Sequence, residues 1–585
     1  MKRLMSIIGL ALSLSGAAHA AVYDPLSGTG VVSRTNLSYS TLIGATASLV
    51  DYSAFAVPIN AANPDSTFQG TLTLNNVAST GSFSQVLGSK FSGYTDPGHL
   101  PAFSYQFVQD GTHIFPIQRG LISTSHPDWY YILEPGRVWK ESSDNGYSRV
   151  AIPFSLQENG ANCTHNGVLT FLFKSDSSIS NVAYQIAGET CEYYQFNMWG
   201  QVSATYTPQT IAIATAASAT TTYEAEVAAR MPTKPIAQLA FDFPAAGVTI
   251  ANIGSDQTAS YMTVFGVAVD GTNYVGGCGT RYGTYPYCAV LDLPSYSTAK
   301  SIVGSIGLMR MEKKYPGTKS LSIGSNVDKC SGTQWTDSSL LNALDMATGN
   351  YALAGYESDE GSTSTKNNFF LVDTYSGKAT FACSYSRKAV PGTKWIYHTT
   401  DSFLLGKALN TRYQYWNDSS KDFYRDMLVE EIYKPLGMSQ TSYTTARTID
   451  TVAQAFTGYG LTLHHDDLVK IGEFLNKSNA TINSVSMLDS TLYNEAMQKT
   501  SVHGLTASGA NNNYHHGFWL WNLASADSGA AICPTTKWVP YMSGFGGIGV
   551  VLLPNNMVYY YVSDKDEYGF KKTLIELQKI RTLCN

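Results

Sequence analysis

The sequence predicts a multidomain chain: an N-terminal all-β, sandwich-like domain, then a mixed α/β (α+β) domain that combines an antiparallel sheet with a helical region. Three observations lead there. Short alternating segments such as FQGTLTLNNV, YSRVAIPFSL and GVLTFLFKS crowd the first third of the chain, parted by Gly, Asn, Asp and Pro. The Ala/Thr-rich stretch IAIATAASATTT, from Ile211 to Thr222, then interrupts the pattern, and Pro232 and Pro235 close it. From Lys234 onward, helical and strand periodicities alternate.

Taken in order, the chain opens with MKRLMSIIGLALSLSGAAHA. Lys2 and Arg3 precede an apolar run, and Ala18-His19-Ala20 offers a small-residue cleavage site. Residues 1–20 are therefore expected to be a signal peptide, and the protein to be exported to the periplasm or the medium. The apolar run is too short for a comfortable membrane span, and no later segment supplies about 18 uninterrupted apolar residues. Residues 21–210 form the expected β-rich domain, of unassigned role. Residues 211–233 read either as a linker or as a helix running to Arg230.

Residues 234–585 form the second domain. TVFGVAVDG and TNYVGG read as a hairpin turning at Asp270-Gly271. A helix is expected from Ser297 to Lys314, stopped by Pro316-Gly317. DSFLLGKALNTRY and DFYRDMLVEEIYKPL follow as helices. WVPYMSGFGGIGVVLLPNNMVYYYVSD reads as antiparallel strands turning at its glycines and at Pro554-Asn555-Asn556. The closing helix FKKTLIELQKI places Phe570, Leu574 and Leu577 on one face. Strands at both ends of the region imply one sheet built from both termini.

Loss of Lys2 and Arg3 takes the formal charge from −6 to −8, which argues against nucleic acid as a partner. Charged residues make up 14% of the chain, against roughly 25% in an average soluble protein. Polar duty passes to Ser, Thr, Asn and 38 tyrosines, which suits an exported β-rich protein. The cysteines are Cys163, Cys191, Cys278, Cys288, Cys330, Cys383, Cys533 and Cys584. An even number in an exported chain favours disulfides, and pairing neighbours in order is one of about 105 connectivities. There is no Cys-x-x-Cys. The doublets His464-His465 and His515-His516 suggest metal binding, but no carboxylate stands around them in a recognised ligand motif. Solvated or structural histidines are the commoner case. No metal and no organic cofactor is implied.

Ser297-Thr-Ala-Lys300 is the chemically informative motif. A serine at a helix start with lysine one turn later puts hydroxyl and amine on one face, close enough to exchange a proton. The chain has no Gly-x-Ser-x-Gly elbow, so nothing marks the serine of a Ser-His-Asp hydrolase.

The chain resembles the serine β-lactamase and penicillin-binding-protein superfamily. Its style is nearest the class C β-lactamase branch, with the related esterases and 6-aminohexanoate-oligomer hydrolases. Ser297-Thr-Ala-Lys300 matches the family's nucleophile motif. PGTKWIYHTTDSFLLGKAL, from Pro391, resembles PGxxFxYSNxxxxLLGxxI and places Tyr397 at the catalytic tyrosine. YKPLGMSQTSY and GLTLHHDDLVKIGEFL resemble two further family segments, and Met542-Ser543-Gly544 stands where the family has Lys-Thr-Gly or His-Thr-Gly. The resemblance spans roughly Thr263 to Asn585 and implies a β-lactamase-like fold without a cofactor. It departs at two points. Thr399 replaces the Asn of Tyr-x-Asn, and the third motif lacks its cation.

The resemblance implies Ser297 as nucleophile and Lys300 with Tyr397 as the proton-handling pair. Thr399, Ser543 and Gly544 would line the pocket, and the N–H groups of Ser297 and Phe545 would form the oxyanion hole. The expected function is cleavage of a small-molecule or peptide-like ester or amide through an acyl-enzyme. The alternative is an inactive relative that binds or senses, with the β domain contacting envelope or glycan.

Overall fold

A computed structural model describes residues 32–44, 47–88, 93–210, 213–527 and 529–584. The expected signal peptide lies outside the described residues.

Residues 69–208 build one antiparallel sheet of twelve strands. Its centre is β1 (Ser148–Glu158), β2 (Thr164–Phe173), β3 (Val182–Thr190) and β4 (Gln195–Val202), each hydrogen-bonded to the next. A sandwich would have two separate sheets; here a single ladder curls over its own face. Phe68, beside the first strand, therefore meets Phe171 on β2, with ring centroids 5.8 Å apart. β1 and β2 are buried almost along their whole length, so both of their faces are covered. One face closes on Leu72, Phe107, Tyr131 and Phe171. The other presents Trp139, Ala151, Val168 and Leu172 to the second half of the chain.

The Ala/Thr-rich stretch is a helix, α1 (Ile213–Ala229). A nine-stranded sheet follows. It starts with Thr233–Pro235, which pairs parallel with the following hairpin, β5 (Met262–Val269) and β6 (Thr272–Gly277). Asp270 and Gly271 both have positive φ, as a tight hairpin turn requires. The sheet is completed from the far end of the chain by the short strands Leu505–Thr506 and Asn512–His515, then β7 (Phe518–Asn522), β8 (Trp538–Gly544), β9 (Ile548–Leu552) and β10 (Val558–Ser563). β10 pairs with β5, so both ends of the region build one sheet, as the strand pattern implied. The amphipathic closing helix, Lys571–Ile580, buries Leu574 and Leu577 against Val267, Tyr559 and Tyr561.

The helical region lies across the other side. The helix after Ser297 starts with a turn at Tyr296–Thr298, widens to π geometry over Lys300–Ser305 and continues as α2 (Ile306–Lys314) before Gly317 at φ 97° ends it. α3 (Thr399–Trp416) packs against it, and α4 (His465–Asn476) lies on the sheet over β9 and β10. A continuous apolar cluster joins Val303, Ile306, Leu404 and Leu468 to Leu37, Tyr52, Val168 and Leu172 of the N-terminal part. The two sheets share one core.

The cysteines close four disulfides in sequence order: Cys163–Cys191, Cys278–Cys288, Cys330–Cys383 and Cys533–Cys584. Among the described residues, no helix is long and apolar enough to cross a membrane. Cys163–Cys191 closes a 28-residue separation at the end of the β1–β2 hairpin. Replacing both cysteines by serine is expected to lower stability by about 2–4 kcal/mol. Thermal unfolding of oxidised wild type and variant measures it.

Candidate active site

Ser297 sits at the foot of a cleft of about 640 Å³ between the sheets and the helical region. The lead-in to it is fixed at both ends. Leu293–Pro294 pairs with Thr462–Leu463, and the Ser295 N–H donates to the Leu461 carbonyl at 2.8 Å. Tyr296 then turns the chain with φ 39°, a left-handed conformation rare for a bulky residue and costing of order 1–3 kcal/mol. The β1–β2 turn holds it there. Buried Asn162 accepts three hydrogen bonds on one carbonyl oxygen: from Tyr296 N–H at 2.8 Å, Gly460 N–H at 3.0 Å and Ser295 Oγ at 3.2 Å. The Tyr296 ring also packs on Phe545, 5.5 Å between centroids.

Lys300 is buried beneath the serine. Its Nζ donates to Ser297 Oγ at 2.8 Å, to Thr399 Oγ1 at 2.8 Å and to the Gly458 carbonyl at 3.3 Å. Burial of the amine pulls its pKa down to about 8, while the Glu360 and Glu357 carboxylates act to raise it. Tyr397 lies over the same ammonium, with Nζ 4.9 Å from the ring centroid, and its hydroxyl is within reach of Ser297. Burial holds the phenol well above its ordinary pKa, so it is a neutral donor and acceptor at any physiological pH. Trp519 stacks behind it at 6.0 Å.

Thr399 occupies the first turn of α3. Its hydroxyl accepts from Lys300 and donates to Glu360, whose other oxygen accepts the Thr399 N–H at 2.8 Å. A carboxylate over exposed N–H groups suits the positive end of a helix. His398 points away from the cleft: its Nε2 lies 3.0 Å from Asp359, whose oxygens also accept from Ala352 N–H at 2.8 Å and Leu353 N–H at 3.0 Å. That knot anchors the segment carrying Glu357 and Glu360. Opposite, β8 brings Ser543, Gly544 and Phe545 to the cleft. A Cβ on Gly544 would come within 2.8 Å of the Ser295 carbonyl oxygen, so only glycine lets the strand pass this close.

The structure thus gathers Ser297, Lys300, Tyr397, Thr399, Ser543, Gly544 and Phe545 around one cleft. It adds residues that the motifs did not mark: Asn162, Glu360 and Gly458. Gly458 belongs to Gly458-Tyr-Gly460, a glycine-rich step just before the segment GLTL. A Cβ there would lie 2.9 Å from Thr399 Cγ2. The N-terminal sheet also lines the cleft with Glu158, Gly160, Ala161 and Tyr193, and both Tyr193 and Tyr94 donate to Glu158.

In the first histidine doublet, His464 is engaged in buried ion pairs. His464 Nε2 lies 3.4 Å from Glu134 and 3.6 Å from Asp292. Despite burial, these carboxylates raise its pKa to about 10, so it is an imidazolium holding the two halves together.

No protein-family model matches the chain, and no curated protein sequence matches it. Solved structures do. A Bacillus anthracis protein assigned as a 6-aminohexanoate-dimer hydrolase is 15% identical, over 55% of this chain and 78% of its own, with TM-score 0.40. A protein of Bacteroides dorei DSM 17855 assigned as a β-lactamase is 15% identical over 55% and 94%, with TM-score 0.39. A penicillin-binding-protein homologue from Caulobacter crescentus is 13% identical over 55% and 91%, with TM-score 0.39.

Asn162→Ala removes the acceptor that holds Tyr296 in its unfavoured conformation. Labelling of Ser297 by a fluorophosphonate probe is expected to slow by roughly 10- to 100-fold. Asn162→Asp, which still accepts, is expected to keep most of the rate at matched circular dichroism.

Proposed function

We propose that the protein is an exported serine hydrolase of β-lactamase-like fold that cleaves an ester or amide through an acyl-enzyme on Ser297. The observation that carries this reading is the buried Lys300 amine 2.8 Å from the Ser297 hydroxyl. A serine hydroxyl is a poor nucleophile until a neighbour takes its proton. Lys300 can do so in its neutral form, which burial makes accessible near neutral pH.

In this reading Ser297 Oγ attacks the substrate carbonyl as its proton passes to Lys300. The proton then reaches the leaving group by way of the Tyr397 hydroxyl, which is within reach of Ser297. Tyr397 stays a neutral phenol throughout and relays the proton, while Lys300 is the group that titrates. The N–H groups of Ser297 and Phe545 receive the oxyanion, each such donor being worth about 2.7–4 kcal/mol where one has been removed. Water then releases the acyl group. Residues 21–210 act as an N-terminal domain that completes the cleft, with residues 211–233 as the join.

The cleft differs from one built for β-lactams. Thr399 still receives the lysine but offers no side-chain amide to a ligand. Met542-Ser543 supplies no cation for a substrate carboxylate. Nitrocefin turnover is therefore expected to be feeble beside that of p-nitrophenyl esters.

The reading is tested by covalent labelling. A fluorophosphonate probe is expected to label wild type and not Ser297→Ala; an unlabelled wild type would defeat it. Lys300→Ala is expected to lower ester kcat/KM by about 10²–10⁴-fold. The sign of the pH dependence follows from the base. Only the neutral amine accepts a proton, so kcat/KM should rise with pH through about 8 and then level. A profile that falls across that window would exclude Lys300 as the base.

A further inference from the structure

The second histidine doublet stands apart from the cleft and has a different setting. His515 ends one strand of a hairpin and pairs with Phe518 at the start of β7, which leaves His516 and Gly517 as the two-residue turn. His516 has φ 49° and Gly517 φ 86°. Such turns favour Asn, Asp or Gly at the first position, so histidine there is held against its backbone preference. The conformation brings the two imidazoles side by side, 3.9 Å between centroids.

Two carboxylates arrive from elsewhere in the chain. Glu495, on the short helix Ser490–Ala496, lies 2.9 Å from His516 Nε2. Asp345, at the end of the helix Leu340–Leu344, lies 3.2 Å from His516 Nδ1. His515 is 5% exposed, and its Nδ1 has no hydrogen-bond partner. One ligand atom each from Glu495, His515 and His516 falls within 4.8 Å of the others.

We propose that Glu495, His515 and His516 form a binding site for a divalent transition-metal ion of zinc type, with Asp345 orienting His516 from behind. Two imidazoles and a carboxylate are a donor set that zinc accepts, with a water completing four-coordination. A histidine that ligates through one nitrogen while giving its other N–H to a carboxylate is the arrangement metal sites use to fix the ring. His516 already has that arrangement toward Asp345. Tetrahedral ligands stand about 3.3 Å apart, so rotation of the Glu495 and His515 side chains is enough to close the set. The metal replaces the hydrogen between His516 Nε2 and Glu495, and that proton leaves to solvent. The site also touches the helix behind the nucleophile. Ser305 Oγ donates to the His516 carbonyl at 2.7 Å and Ser301 Oγ to the Gly517 carbonyl at 2.6 Å. An ion here would brace the turn that carries Lys300.

The test uses the untagged, chelator-stripped full chain with zinc and cobalt(II) salts. Calorimetry is expected to show one ion per chain with Kd below about 10 μM, and cobalt to give the visible absorption of a four-coordinate site. Zinc should raise the midpoint of thermal unfolding, as any ligand of the folded state does. His515→Ala and Glu495→Gln should each weaken binding by at least about 30-fold. His516→Asn, whose residue tolerates the turn conformation, keeps the fold testable and should do the same. No binding at 100-fold excess over that Kd, or binding undiminished in all three variants, overturns the proposal. Neither result bears on labelling of Ser297.

Discussion

A lysine amine kept out of water beside a serine hydroxyl is the constraint on which the rest of the structure depends. An isolated ammonium resists burial, and the folded chain answers in two ways. Its pKa is drawn down to about 8, and three acceptors take its hydrogens: Ser297, Thr399 and the Gly458 carbonyl. Those acceptors come from the Ser297 turn, the start of α3 and the loop before α4. Holding them within hydrogen-bond distance of one nitrogen fixes how these three segments meet. Carboxylates set the balance. Glu360 reaches Lys300 through the Thr399 hydroxyl and acts, with Glu357, against the desolvation.

The same requirement explains the strained residue before Ser297. Tyr296 must turn sharply if Ser297 is to face both the cleft and Lys300. The price is met outside the helical region, by one carbonyl oxygen of Asn162 and by packing on Phe545. Gly544 is the matching concession on the sheet side, where its hydrogen stands in for a side chain beside the Ser295 carbonyl.

Much of this was legible in the sequence, but only where residues act through local spacing. Ser297 and Lys300 are three apart, so one helical turn suffices to juxtapose them. Tyr397 and Thr399 come as a motif attached to α3. The Asp270-Gly271 hairpin, α2 with its glycine stop and the closing helix all followed from short-range pattern. The single curled ladder in place of a sandwich did not. Strand periodicity tells which residues face inward and says nothing about where hydrogen bonding between strands stops. Asn162 and Glu360 were equally invisible, being an asparagine in a turn and a glutamate in a loop, each given meaning by a partner far away in the chain. The π-widened turn at Lys300–Ser305 leaves no mark on apolar spacing either.

The shared core has a consequence for how such a protein can be built and varied. Leu37, Tyr52, Val168 and Leu172 lie in the same apolar cluster as Val303 and Leu404, and the hairpin bearing Asn162 reaches under Ser297. The front half is thus no detachable cassette. Homologues that exchanged it for an unrelated module would have to reinvent a support for the residue preceding Ser297. Its drift should track that of the second half, and directed evolution of either should be selected on both together.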